Sequence, residues 1–115
     1  MPPAIVRREP HHVVPCPCGE SERFFTAEDG ANLGLHRTTI AYAEPHVHKV
    51  MTETYYVIEG NGAIVLDGER YEVGPGTAIL IPPGVVHNGE GTYRVIVVYD
   101  HPELHKTDTH HPTKS

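Results

Sequence analysis

The sequence has no block of positive charge. Its longest basic run is the pair Arg7-Arg8, and the formal net charge is −6 with histidine neutral. A nucleic-acid surface needs concentrated lysine and arginine, so no nucleic-acid partner is expected. No apolar run approaches the roughly 20 residues of a membrane-spanning helix, and the first residues carry no signal-peptide apolar stretch. A membrane partner is therefore not expected either, and the expected location is the cytoplasm. A 3.6-residue amphipathic period of useful length is missing throughout. That leaves no segment for a helix-turn-helix. Cysteine is scarce, with two residues in the run Cys16-Pro17-Cys18. A Cys-x-Cys pair is too close for an easy disulfide. Either both thiols stay reduced, or they form a small zinc clip with His11 and His12. Nothing else completes such a clip at the usual ligand spacing, which favours the reduced thiols.

Glycine and proline are plentiful instead, with 11 of each spread along 115 residues. A chain of that length builds one core, not two, and this punctuation favours short strands joined by turns. Residues 1–23 carry Pro2, Pro3, Pro10, Pro15 and Pro17. Proline at that density forbids a helix and allows only edge or extended structure, so this segment reads as an arm. Phe24 to Thr26 begins the first core strand, with a turn over Glu28 to Asn32. Leu33 to Ala43 forms a long strand, and a further strand starts at Glu53. Gly60-Asn61-Gly62 reads as a tight hairpin and Asp67-Gly68 as another. Thr77 to Ile81 is an almost wholly apolar, buried strand, ended sharply by Pro82-Pro83-Gly84. Thr92 to Asp100 is the last strand. About eight short strands with turn signals at hairpin spacing indicate an all-β barrel or sandwich. The domain is expected over residues 24–102. The tail at 103–115 has one aliphatic residue, Leu104, and is expected to fray.

Ten histidines are an excess for this length. Those near the two ends, His11, His12, His101, His105, His110 and His111, are expected to be solvated. His46 and His48 are two apart, so on an extended strand both imidazoles point to one side. Glu53 follows, and His87 comes after a separate strand and its Pro-Gly turn. Three imidazoles and a carboxylate aimed into one space form a ligand set for a divalent metal. If the strand from Leu33 runs on in register, His36, Thr38, Ile40 and Tyr42 face the same cavity, which makes His36 and Tyr42 candidate substrate-binding residues. Tyr55 shares the face of Glu53 and is the candidate catalytic phenol, either as a hydrogen-bond donor or, beside a cation, as a base. Arg37 and Arg94 are the core-strand cations that would meet a substrate carboxylate if they pointed inward; a surface ion pair is the alternative.

The two motifs resemble those of the cupins. His46, His48, Glu53 after four residues and Gly60 after six match the first cupin motif. Gly76, Pro82, Gly84 and His87 match the second at every spacing. The pattern departs at Ile40, where a glycine is expected, and at Gly91, where an asparagine is expected; neither is a metal ligand. The resemblance covers roughly Leu33 to Tyr99. It implies a double-stranded β-helix, or jelly-roll barrel, and a homodimer, with His46, His48, Glu53 and His87 holding one divalent transition metal per chain (Fe, Mn, Zn or Ni). Two adjacent open positions on such an ion favour a dioxygenase-like oxidoreductase acting on a small oxygen-rich molecule. The alternatives are a redox-neutral isomerase, epimerase or lyase with the metal as Lewis acid, and a non-catalytic sugar- or acid-binding module.

Overall fold

The computed structural model describes residues 3–5, 13–16, 19–41 and 43–112. Seven strands form one antiparallel sheet that folds over on itself. They are β1 (Val13–Cys16), β2 (Gly19–Phe25), β3 (Leu33–Ile40), β4 (Glu53–Leu66), β5 (Glu69–Val73), β6 (Ala78–Ile81) and β7 (His87–Asp100). The strand order is β1-β2-β3-β7-β4-β5, with β6 also paired to β4. No helix among the described residues is long and apolar enough to cross a membrane.

The architecture turns on β4 and β7, each 14 residues long. They stay paired from Glu53↔Tyr99 to Leu66↔His87. Their outer neighbours change along the way. The first half of β4 takes β6, while its second half takes β5; β3 covers only the part of β7 beyond Tyr93. The exchange of partners happens where β4 bends, at a bulge between Val57 and Glu59. A bulge bends and twists the strand that carries it, and the sheet thereby becomes two facing layers. Between them lie Val57, Ala63, Ile64, Tyr93, Val95 and Tyr99, all essentially closed to solvent. Burying each of the larger side chains stabilises the fold by about 1.5–3 kcal/mol before the entropy cost is set against it.

The hairpin expected at Gly60-Asn61-Gly62 is absent, and β4 runs straight through it. Gly60 has φ +85°, and a Cβ there would lie 2.9 Å from both Thr92 O and Tyr93 Cα. The glycines allow two bent strands to approach, and they end neither strand. For the same reason β7 begins at His87, not Thr92. The Asp67-Gly68 hairpin is present, with both residues at positive φ. β6 also differs from expectation, since only alternate residues are buried and Leu80 is 63 % exposed on the outer face.

The two end segments are more structured than their composition implies. β2, five of its seven residues inside the expected arm, pairs with β3 from Gly19↔Ile40 to Phe25↔Leu35 and buries Ser21. Pro15 sits in β1 at the sheet's edge, where its missing N–H costs least. At the other end, residues 103–112 lie against the barrel instead of fraying. Pro102 is buried in a short 3-10 turn, Leu104 packs on the core, and Val47 and His110 exchange backbone hydrogen bonds of 2.8 and 2.9 Å. A tail poor in apolar residues docks here through hydrogen bonds.

Gly76 shares the backbone angle of Gly60 (φ +88°) but has open space around it. Gly76→Ala is expected to cost about 1–2 kcal/mol through strain alone. Gly60→Ala is expected to cost at least about 1 kcal/mol more, because the new methyl meets backbone. Paired urea unfolding curves check the difference.

Candidate metal centre

His46 and His87 face each other across an isolated antiparallel bridge (His46 N–H to His87 O, 3.0 Å; His87 N–H to His46 O, 2.8 Å). His48 lies two residues on, and Glu53 opens β4. The His46 and His87 ring centroids are 4.2 Å apart, and each is 5.3 Å from His48. One ligand atom from each of His46, His48, Glu53 and His87 lies within 4.8 Å of all the others, and all four residues are buried.

The tautomers follow from the hydrogen bonds. His46 Nδ1 meets Glu44 O at 2.9 Å, His48 Nδ1 meets Asp108 O at 2.8 Å, and His87 Nδ1 meets Val85 O at 2.9 Å. A carbonyl only accepts, so each Nδ1 carries the hydrogen. In each neutral ring the Nε2 lone pair is left, and the three converge on Glu53. Outer hydrogen bonds of this kind orient metal-ligating histidines.

Burial, then the neighbouring His87, lowers the His46 pKa to about 4. Burial also opposes charge on His48, but its bonds to Glu53 and to the Asp108 carbonyl outweigh that and raise its pKa. Burial likewise opposes charge on Glu53, and its bond to His48 with the close His87 ring hold its pKa below the usual carboxylate range. Without a cation, a proton on His48 Nε2 completes the 2.9 Å contact to Glu53 Oε1. His87 Nε2 lies 3.2 Å from the same oxygen, yet it is buried without an aligned hydrogen-bond partner. One carboxylate serves one imidazole well and leaves the other short; a divalent cation serves all four donors. The residues fit a metal, and the donor set suits Fe, Mn, Zn or Ni.

Beside the ligands is a cavity of about 370 Å³, reached by Ser21, Arg23, His36, Thr38, Tyr55 and His105. His36, a sequence candidate, stands on its wall. Tyr99 OH and His36 Nε2 share a hydrogen bond of 2.8 Å, and the other ring nitrogen meets Ser21 Oγ at 3.2 Å. Burial, then His105 and Arg23, lowers the His36 pKa to about 3. Tyr55 lines the cavity, its ring centroid 6.4 Å from that of His87. Burial, then Glu53, raises its pKa well above the ordinary phenol value. Ile40 is buried in the core. Tyr42, Cys18, His11 and His12 lie outside the described residues, so neither the Tyr42 assignment nor the clip has a structural counterpart here. Arg37 and Arg94 take the surface alternative. Arg37 grips Glu22 through contacts of 2.7, 2.8 and 3.1 Å, and Arg94 reaches Glu59 and Glu22 at 3.4 and 3.5 Å.

The sequence reading missed Arg23, His105 and Asp108. Arg23 sat in a segment taken for an arm, and the other two in a segment taken for a tail. His105 is not solvated: it stacks on Tyr99 at 5.0 Å and 24°. Asp108 is 5 % exposed, and its carboxylate accepts from the backbone N–H of Lys49, Val50 and Met51 at 2.9, 2.8 and 2.8 Å. It clamps the loop between His48 and Glu53 while its carbonyl orients His48.

Comparison with known proteins agrees with this geometry. The profile described as the cupin domain matches residues 39–99. The chain belongs to the cupin family. This cupin is 34% identical over 99 residues to L-ectoine synthase of Bordetella petrii, spanning 76% of this chain and 74% of that relative. A crystal structure of a protein from Planctomyces limnophilus superposes with TM-score 0.86 at 30% identity, over 94% of this chain and 96% of that one. The nucleoside dehydratase Pac13, from Streptomyces, shares the fold with TM-score 0.77 at 18% identity, over 96% and 92%.

Burial works against the Asp108 charge, but the Met51, Lys49 and Val50 amides outweigh it and lower the pKa to about 2. A depressed carboxylate pKa contributes stability above the unfolded value of 3.8, and that contribution is lost as pH falls towards the folded value. Asp108→Ala is expected to blunt the dependence of stability on pH in that window and to weaken zinc binding about 10–100-fold. Acid unfolding and competition against a chromophoric chelator measure the two effects.

Proposed function

We propose that this cupin is a metal-dependent lyase that eliminates water from a small hydroxylated molecule. The observation that carries the reading is the buried Tyr55 phenol beside a ready ligand set in one small cavity. His46, His48, His87 and Glu53 would hold one divalent metal, which supplies Lewis-acid polarisation of a substrate oxygen. Tyr55, its pKa raised by burial and by Glu53, starts with its proton in place and acts as donor to the leaving oxygen. In the elimination the hydroxyl leaves one carbon as water with the Tyr55 proton, and the tyrosinate so formed takes the proton from the neighbouring carbon, whose C–H electron pair forms the double bond while the phenol is restored.

The dioxygenase-like reading has no support among the relatives, since neither ectoine synthase nor nucleoside dehydratase denotes an oxygenase. The redox-neutral alternative therefore takes its place. The homodimer belongs to the same proposal: Tyr56, Ile58 and Leu80 form an exposed apolar stripe on the outer faces of β4 and β6, and a second copy of the chain would cover it. Leu80→Glu is expected to yield a monomer in sedimentation analysis.

The deciding experiment incubates zinc-, manganese-, nickel- and iron-loaded protein with a panel of hydroxy acids and polyols, with and without oxygen. The expected product is lighter by one water, forms equally without oxygen and disappears in His46→Ala. Oxygen consumption would reinstate the dioxygenase, and saturable binding without turnover would leave a binding module. Tyr55→Phe is expected to lower kcat by about a hundredfold or more with little change in KM.

A further inference from the structure

Three buried side-chain nitrogens among the described residues have no hydrogen-bond partner: His87 Nε2, Arg23 Nε and His105 Nδ1. The first points to the metal centre. The other two share one wall of the cavity. Arg23 lies opposite His36 in the β2–β3 register, so both face inward. His105 comes from the C-terminal segment; it stacks on Tyr99 and meets the His36 ring edge-on at 5.0 Å. His36 has both ring nitrogens occupied by Tyr99 and Ser21, so it braces the wall and has none left for a ligand.

A buried donor without an acceptor carries its full desolvation cost, and more so when it is charged. Among the described residues none supplies the acceptor that Arg23 Nε lacks. Glu22, next to Arg23, is committed to Arg37 on the other face of β2. Among the described residues that line the cavity, Glu53 is the sole carboxylate, and it belongs to the ligand set; Lys106 adds a second positive charge. A chain of net charge −6 thus encloses a cavity whose own charge is positive, an arrangement that concentrates anions.

We propose that Arg23 and His105 form an anion subsite that anchors a carboxylate or phosphate group of the substrate, while a neutral oxygen of the same molecule reaches the metal centre. This rests on the lyase reading for the word substrate, but the subsite itself does not depend on a metal. It narrows the substrate class to small hydroxylated acids or phosphate esters, consistent with a cavity of about 370 Å³. It also gives the C-terminal segment a binding role, since that segment supplies His105.

The test titrates the zinc-loaded full chain and its His46→Ala variant with sodium acetate and, separately, inorganic phosphate. Nitrogen NMR of Arg23 Nε and the His105 ring reports binding. Saturable shifts at both residues are expected in both proteins. Binding is expected to be about tenfold or more weaker in Arg23→Gln, and also weakened in His105→Gln, which keeps the fold test independent of β2. The tighter anion names the group. Shifts that do not saturate, that persist unchanged in Arg23→Gln and His105→Gln, or that vanish in His46→Ala would overturn the proposal. The last outcome would assign the anion to the metal. Loss of zinc binding in the parent protein with the anion shifts intact would instead sink the metal reading alone.

Discussion

The structure depends on one electrostatic constraint: three imidazole lone pairs and a carboxylate share a buried volume. Each ring is turned by a backbone carbonyl on its far side, from Glu44, Asp108 and Val85. Those bonds fix the tautomers before any ligand arrives, so the inner nitrogens face one another whether or not something lies between them. Such an arrangement is costly unless a cation is shared among the four donors. The jelly roll is the scaffold that holds them to it, with His46 and His87 paired across a bridge and Glu53 fixed at the start of the longest strand pair.

Much of this was legible in the sequence. The spacing of His46, His48 and Glu53 is a one-face strand pattern, and the second motif brings His87 to meet it. Alternation along β3 and β4 puts His36, Thr38 and Ile40 and Glu53, Tyr55 and Val57 on the buried face, because one buried face fixes register tightly; Ile40 packs in the core and does not line the cavity, and Tyr42, expected beside them, lies outside the described residues. The errors share a physical origin. Gly-Asn-Gly is read locally as a turn, yet whether glycine reverses a strand or lets two strands touch is decided by what lies opposite, here Tyr93. Likewise, proline-rich and polar ends look unfolded when judged by hydrophobicity alone. They fold here because β2 pairs with β3 on one side and β1 on the other, and because a single carboxylate gathers three amides.

The chemistry of the cavity was only partly readable. Ligands sit in spaced motifs, but the residues that would grip a substrate come from segments without a motif. Arg23 and His105 are 82 residues apart in the chain, and only the β2–β3 register and the return of the C-terminal segment bring them together. Arg37 and Arg94 were the more visible cations and proved to be engaged with Glu22 and Glu59 outside the barrel. A strand places alternate residues on opposite faces, so the cation that matters is the one in phase with His36.

The Asp108 clamp has a consequence for how the protein is made. Its carbonyl reaches His48 across 60 residues of chain. Synthesis delivers β3, both histidines of the first motif, Glu53 and His87 well before residue 108. Until that residue has emerged from the ribosome, the loop between His48 and Glu53 has three amides without their acceptor, and His48 Nδ1 lacks the carbonyl that sets its tautomer. A metal held by these residues would therefore reach its final geometry only after the segment around Asp108 is made, and not when the ligands themselves appear.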